Sequence, residues 1–276
     1  MTHRFRVVRW AAWAPGLASR EAWRAWLASP AAIAAEGQPP LAEVPAMMRR
    51  RIDPLGRAAL QAAWWAQGTP EEGAGAMPVI FASRWGEIAR SLTLLQQLAG
   101  GEPLSPTHFS LSVHNASGAL YSMARQDRQN YLAVAGGEHS AEAAFCEALG
   151  LLADGASQVL VAHVDAPLPE AYEALGQIAP STADPALIAW ACVLASADAG
   201  ATSFSLAPMA ANDLTPQAAT SPLLSGSLPV LALLAAADEP DASAASASAT
   251  APASLDRLIV GQPGGWRWTR HPAGQP

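Results

Sequence analysis

Residues 104–119 read LSPTHFSLSVHNASGA and residues 133–149 read AVAGGEHSAEAAFCEAL, and the way these two stretches fold sets the class of the whole chain. The first is a polar-punctuated loop in which Phe109, Leu111 and Val113 alternate with polar residues, followed by a helix over 116–125. The second begins in a short buried strand, residues 131–135, turns at Gly136 and Gly137, and becomes a helix over 140–153 that Asp154 and Gly155 close. Strand, glycine turn and helix in succession form a repeating half-unit of layered α/β folds.

Working outward, the alternation continues on both sides. Residues 4–12 read as a first strand, and Ser19 caps a short helix with Trp23, Trp26 and Leu27 on one face. A proline-containing loop over 38–45 leads past Arg49, Arg50 and Arg51 to a helix from about Pro54 through Trp65. A buried strand follows at 78–82. Ile88, Leu92, Leu95 and Leu98 then have the spacing of an amphipathic helix, which Gly100 and Gly101 stop. On the C-terminal side, 159–164 is another buried strand, ended by Pro167 and Pro169. Residues 187–195 and 202–206, joined by a turn at 198–200, predict an antiparallel pair, and 258–260 with 266–269 predict an edge strand or hairpin turning at Gly264 and Gly265. Between them, 238–254 is an Ala/Ser/Pro run with too little large apolar surface to offset its ordering entropy. The expected organisation is a domain over 1–236, a flexible linker over 238–254 and a terminal strand or tail, 255–276, packing on the domain.

Composition excludes several chemistries. All 16 basic residues are arginine, so a lysine Schiff base, a pyridoxal phosphate site and a phosphate-loop lysine have no ammonium to use. The net charge of -7 and scattered arginines argue against a nucleic-acid surface. Two cysteines, Cys146 and Cys192, are too few for a disulfide framework or a four-cysteine zinc site, and both read as small core residues. No apolar run is long enough for a membrane span and the N-terminus lacks a secretory signal, which predicts a cytoplasmic protein. No cofactor is expected.

Three regions together carry a family resemblance: RRRIDPLGRAALQAA at 49–63, VIFASRWGEI at 79–88, and the pair at 104–119 and 133–149. They resemble the N-terminal half of the β-ketoacyl synthases, and in particular the short synthase-like branch found with aryl polyene and related fatty-acid-type clusters. The resemblance implies a thiolase-like fold, layered α/β/α, with a truncated second half. In a working ketosynthase the second stretch is the nucleophile elbow, where amides and the helix dipole lower the pKa of a cysteine. Here that position falls on Glu138, or on Gly137 or Gly136 if the register slips, and none of these forms a thioester. Cys146 lies about two helical turns further along. The family's second half supplies two histidines and a lysine, whereas beyond Gly200 this chain has only His271. The resemblance therefore implies a subunit without independent activity. Like a chain length factor, it would form a heterodimer with an active β-ketoacyl synthase that serves polyketide, aryl polyene or fatty-acid-type biosynthesis on acyl carrier protein. Tyr131, Leu132, Ala133, Val134, Ala135, Gly136 and Gly137 would then lie at or near the subunit interface.

Each candidate residue also has a plainer reading. Glu138 acts as a base, mimics a malonyl carboxylate, or simply caps a helix, and His139 beside it is either mechanistic or an ordinary turn residue. Ser112, His114 and Asn115 hydrogen-bond across an interface or hold the elbow. His108 and His114 have no thiolate partners, so a metal site has little support, and Ser140 is not in a Gly-x-Ser-x-Gly setting. Arg49, Arg50, Arg51 and Arg57 form either a carrier-protein contact or a solvated helix entrance. Two other functions stay open: an acyl-thioester decarboxylase or hydrolase using Glu138, His139 or His114, and a homodimeric structural protein.

Overall fold

A computed structural model describes residues 3–69, 75–174, 186–198, 200–215, 223–236, 253–258 and 264–273. Strand β1 (Arg4–Trp13) is followed by helices α1 (Arg20–Ala28), α2 (Ala46–Arg49) and α3 (Pro54–Gln67), then by β2 (Val79–Ala82). Helices α4 (Ile88–Ala99), α5 (Pro106–Ser110) and α6 (Ala116–Arg125) precede β3 (Tyr131–Val134), α7 (Ser140–Ala153), β4 (Val159–Asp165) and α8 (Glu170–Ala174). The chain finishes with β5 (Ile188–Ser196), β6 (Ser203–Ala210), α9 (Leu228–Ala235), β7 (Ser254–Leu258) and β8 (Gly264–His271).

The strands form one mixed sheet in the order β3-β2-β4-β5-β1-β6-β8-β7. β3, β2 and β4 run parallel, and β5 is antiparallel to both β4 and β1. β5 and β6 therefore do not pair with each other as their short connection predicts, because β1 lies between them. The reason is burial. Ile188 to Ala195 of β5 are all buried, so the strand needs cover on both faces and partners on both sides, and β1 matches it from Phe5 to Trp13 around one bulge.

Side chains alternate between two cores. Ile80, Ala82, Val161, Trp190 and Cys192 face α7 and α9, where Phe145 and Leu231 pack, while Val79, Phe81, Leu160, Ala162 and Val193 face α3 and α6. Ala58, Ala59, Ala62, Ala63 and Ala66 are fully buried, so α3 meets the sheet through small side chains that let the backbones come close. Burying one side chain such as Phe145 contributes about 1.5–3 kcal/mol.

Several local expectations are corrected. The loop over 104–115 holds α5, which Ser105 caps by accepting from the His108 amide at 3.4 Å and which Pro106 starts. β3 is half-buried because it is an edge strand. Leu95 and Leu98 of α4 are exposed, and Leu94 is the buried residue of that helix. Gly264 and Gly265 begin β8 and do not form a turn. Cys192 is buried but Cys146 is exposed. Of the expected linker, residues 238–252 lie outside the described residues, and Ser254 already belongs to β7. No helix among the described residues is long and apolar enough to cross a membrane.

Candidate functional site

After Val134 the chain turns through Ala135, Gly136 and Gly137 into α7. Gly137 has φ +59°, and a Cβ at Gly136 would meet the His139 carbonyl at 2.9 Å, so both positions require glycine. Ser140 locks the turn: its hydroxyl donates to the Gly137 carbonyl at 2.7 Å and accepts from the Gly136 amide at 3.1 Å. That is a structural use of Ser140. Glu138 sits on the outer side of the turn, its carboxylate 3.5 Å from Arg84.

The elbow is anchored from the far end of the chain. Arg257 in β7 donates to the Glu138 carbonyl at 2.7 Å, and its Nε lies 2.8 Å from Glu142, a fully buried acid in the first turn of α7. Trp268 in β8 donates to the same carboxylate at 3.1 Å, and His139 Nδ1 stands 3.6 Å from it. Desolvation opposes ionisation of Glu142, but the Arg257 guanidinium, His139 and Trp268 outweigh it and hold the carboxyl below its usual range.

A second buried polar cluster lies at the end of β4. Asp165 accepts from the Ser83 hydroxyl at 3.0 Å and the Arg84 amide at 2.7 Å, and His163 Nε2 is 3.5 Å from its other oxygen. His163 stacks on Trp190 with centroids 5.2 Å apart and shares a 3.2 Å hydrogen bond with Ser227, which also accepts from the Trp190 indole at 2.8 Å. Burial pushes the Asp165 carboxyl up to about 6, against the opposing donors and charges of Arg84, Ser83 and His114. Ser227, His163 and Asp165 have the order of a nucleophile, base and acid, but Trp190 holds the serine oxygen and all three side chains are buried. This cluster pins β4 and β5 to the end of β2 and the start of α9. Its signal in the sequence is faint: a His and an Asp two residues apart in the apolar strand VLVAHVD mark one face of β4.

The remaining candidates separate. His114 bonds the Val134 carbonyl at 3.1 Å and so ties the loop to the elbow strand. Ser112 donates to the Phe109 carbonyl within its own loop, and Asn115 caps α6 without a side-chain bond. Tyr131, Leu132, Ala133 and Val134 form the edge strand, with Ala135, Gly136 and Gly137 exposed beyond it. Arg49 and Arg57 donate to the carbonyls of Leu41 and Ile52, whereas Arg50 and Arg51 are exposed. Partial burial, together with Glu142 and Glu147, pushes the Cys146 thiol up, the opposite of activation. No group of three or more metal-binding side chains gathers among the described residues.

The sequence matches the profile of the β-ketoacyl synthase N-terminal domain over residues 23–249. Among solved structures, it is similar to a chain of the ketosynthase ApeO in complex with its chain length factor ApeC from Xenorhabdus doucetiae, with 24% identity, a TM-score of 0.72, and coverage of 98% of this chain and 100% of that one. The ishigamide ketosynthase/chain length factor aligns at 18% identity and TM-score 0.58, covering 76% of this chain and 68% of that one. A β-ketoacyl synthase from Burkholderia phymatum STM815 aligns at 13% and 0.56, covering 71% and 59%. No curated protein matches. With its mixed sheet, layered helices and glycine elbow, the chain has the thiolase-like ketosynthase fold and belongs to the β-ketoacyl synthase N-terminal domain family.

Proposed function

We propose that this chain is a non-catalytic, chain-length-factor-like subunit that pairs with an active β-ketoacyl synthase in the cytoplasm. Together the two would build polyketide, aryl polyene or fatty-acid-type chains on acyl carrier protein. The observation that carries this reading is a glycine turn leading into a helix with no cysteine from Ala133 to Ser140, so that the position the resemblance gives to the thiol, Glu138 or else Gly137 or Gly136, forms no thioester. Two features support the partner. β3 is an edge strand with one side unpaired by any described strand, and Phe109, Leu98, Leu95 and Met123 nearby in sequence are exposed at 62%, 61%, 55% and 56%. Ketosynthases solved in complex with chain length factors are also among the structures with this fold.

The test is co-expression with a cysteine-bearing ketosynthase from the same genome, followed by native mass spectrometry. A stable one-to-one complex in which acyl label attaches only to the ketosynthase is expected. A covalent acyl adduct on this chain, or no complex with that synthase, would overturn the proposal in its present form. Turnover of an acyl thioester by the isolated chain, lost in Glu138→Ala, would favour the decarboxylase or hydrolase reading instead.

A further inference from the structure

Residues 83–88, between β2 and α4, are tied to the elbow strand at one end and rest on an acid at the other. The Ser83 amide donates to the Val134 carbonyl at 3.3 Å, and the Gly86 amide donates to the Ser83 hydroxyl at 2.9 Å. His114 lies against this turn: a Cβ at Gly86 would meet its Nδ1 at 2.5 Å, while its Nε2 bonds the same Val134 carbonyl. The last carbonyl of β3 is therefore held twice, by the turn and by the histidine packed on it.

Glu87 supports the turn from the other side. Its side chain makes no capping bond at the start of α4. Its Oε1 lies 3.4 Å from the point where Gly56 of α3 would carry a Cβ, and the Ser117 hydroxyl of α6 lies 3.5 Å from that same point. The missing side chain at Gly56 gives the carboxyl its room. A void of about 10 Å³ adjoins it, bordered by Ser83, Gly86, His114 and Ser117. The charged groups nearby are Asp53 at the start of α3, which Arg90 of α4 already binds, His114 across the void, and Asp165, which is bonded to the Ser83 hydroxyl. A protonated carboxyl fits such a gap, whereas a carboxylate without a cationic donor is costly there. Glu87 also borders a larger cavity of about 570 Å³ between Pro15, Pro54 and Leu187, so it has a second space on its other side.

We infer that residues 83–88 form a proton-sensitive strap: protonated Glu87 rests against Gly56, ionised Glu87 swings toward the larger cavity, and losing that support loosens Gly86, His114 and the end of β3. Burial and Asp53 raise the Glu87 carboxyl from 4.5 to about 7, against Arg90. The closed strap thus holds its proton more tightly than an opened one, in which the acid regains its ordinary value. Protection is complete below about pH 4.5 and is lost as pH rises through 7, with opening about tenfold more favourable at pH 8 than at pH 6.

The test is amide hydrogen exchange of the full chain at pH 6 and pH 8, read as protection factors of the Ser83 and Gly86 amides so that intrinsic exchange rates cancel. Protection should fall about tenfold from pH 6 to pH 8 in the wild type and in Asp165→Asn, but stay constant in Glu87→Gln, the neutral isostere of the closed state. Gly56→Ala fills the gap in which the carboxyl rests, so its protection should be low and equal at both pH values, and it decides the matter should Glu87→Gln fold poorly. No fall in the wild type, a fall that survives in Glu87→Gln or vanishes in Asp165→Asn, or a wild-type pH response in Gly56→Ala would each overturn the inference.

Discussion

β7 and β3 form the two edges of one sheet and treat their surroundings differently. β7, with β8 beside it, sends Arg257 and Trp268 inward to a buried glutamate under the elbow, so that edge is tied into the interior. Among the described strands β3 pairs only with β2, is half-buried along its length, and has exposed Phe109 and Leu98 on the helices that precede it in the chain. The contrast teaches that the β7 end of the sheet uses its long-range polar contacts to fix the elbow, while the β3 end is a strand that exposed apolar side chains precede in the chain. Changes at the first edge should therefore act on folding, and changes near the second on association.

The largest effect tests the first half of that contrast. Arg257→Ala leaves Glu142 buried without its guanidinium and should cost about 3–5 kcal/mol in urea unfolding. A loss below about 1 kcal/mol would mean that the hairpin does not anchor the elbow. Next comes pH dependence at the end of β4. Because the folded Asp165 carboxyl titrates near 6, above its unfolded value, the folded state holds its proton more tightly between about pH 4 and 6. Stability from this group is therefore lost as pH rises through that window, by at most about 1.4 kcal/mol per pH unit. The slope difference between the wild type and Asp165→Asn measures it, and identical slopes would refute it. Smallest is Phe109→Asp, which should weaken the proposed ketosynthase complex by about tenfold, or about 1.4 kcal/mol, while moving unfolding by less than about 0.5 kcal/mol. A stability loss as large as that of Arg257→Ala would erase the distinction between the edges.

Much of this architecture is legible locally. The helix capped by Ser19, the buried strand at Val159–Asp165 and the elbow helix at Ser140–Ala153 each follow from periodicity and punctuation within about fifteen residues. What local reading misses depends on distance along the chain. Nothing near 198–200 reveals that β1 inserts between β5 and β6, and nothing near Glu138 reveals that its carbonyl is held by a residue 119 positions away. The spacing of Leu92, Leu95 and Leu98 identifies an apolar helix face but not what covers it, which is why two of these three stand exposed. His163 and Asp165 carry no local sign of their cluster, because their partners, Ser227 and Ser83, lie 64 and 82 residues away.

The position of β1 in the middle of the sheet also bears on how the protein is made. Residues 4–13 leave the ribosome long before residues 188–205, the strands that flank them. At synthesis rates of about 5–20 residues per second, this apolar strand waits on the order of ten to forty seconds for its neighbours. Its yield in the cell should therefore depend on chaperones that shelter nascent chains, and codon choices that slow translation between residues 14 and 188 should lengthen that exposure.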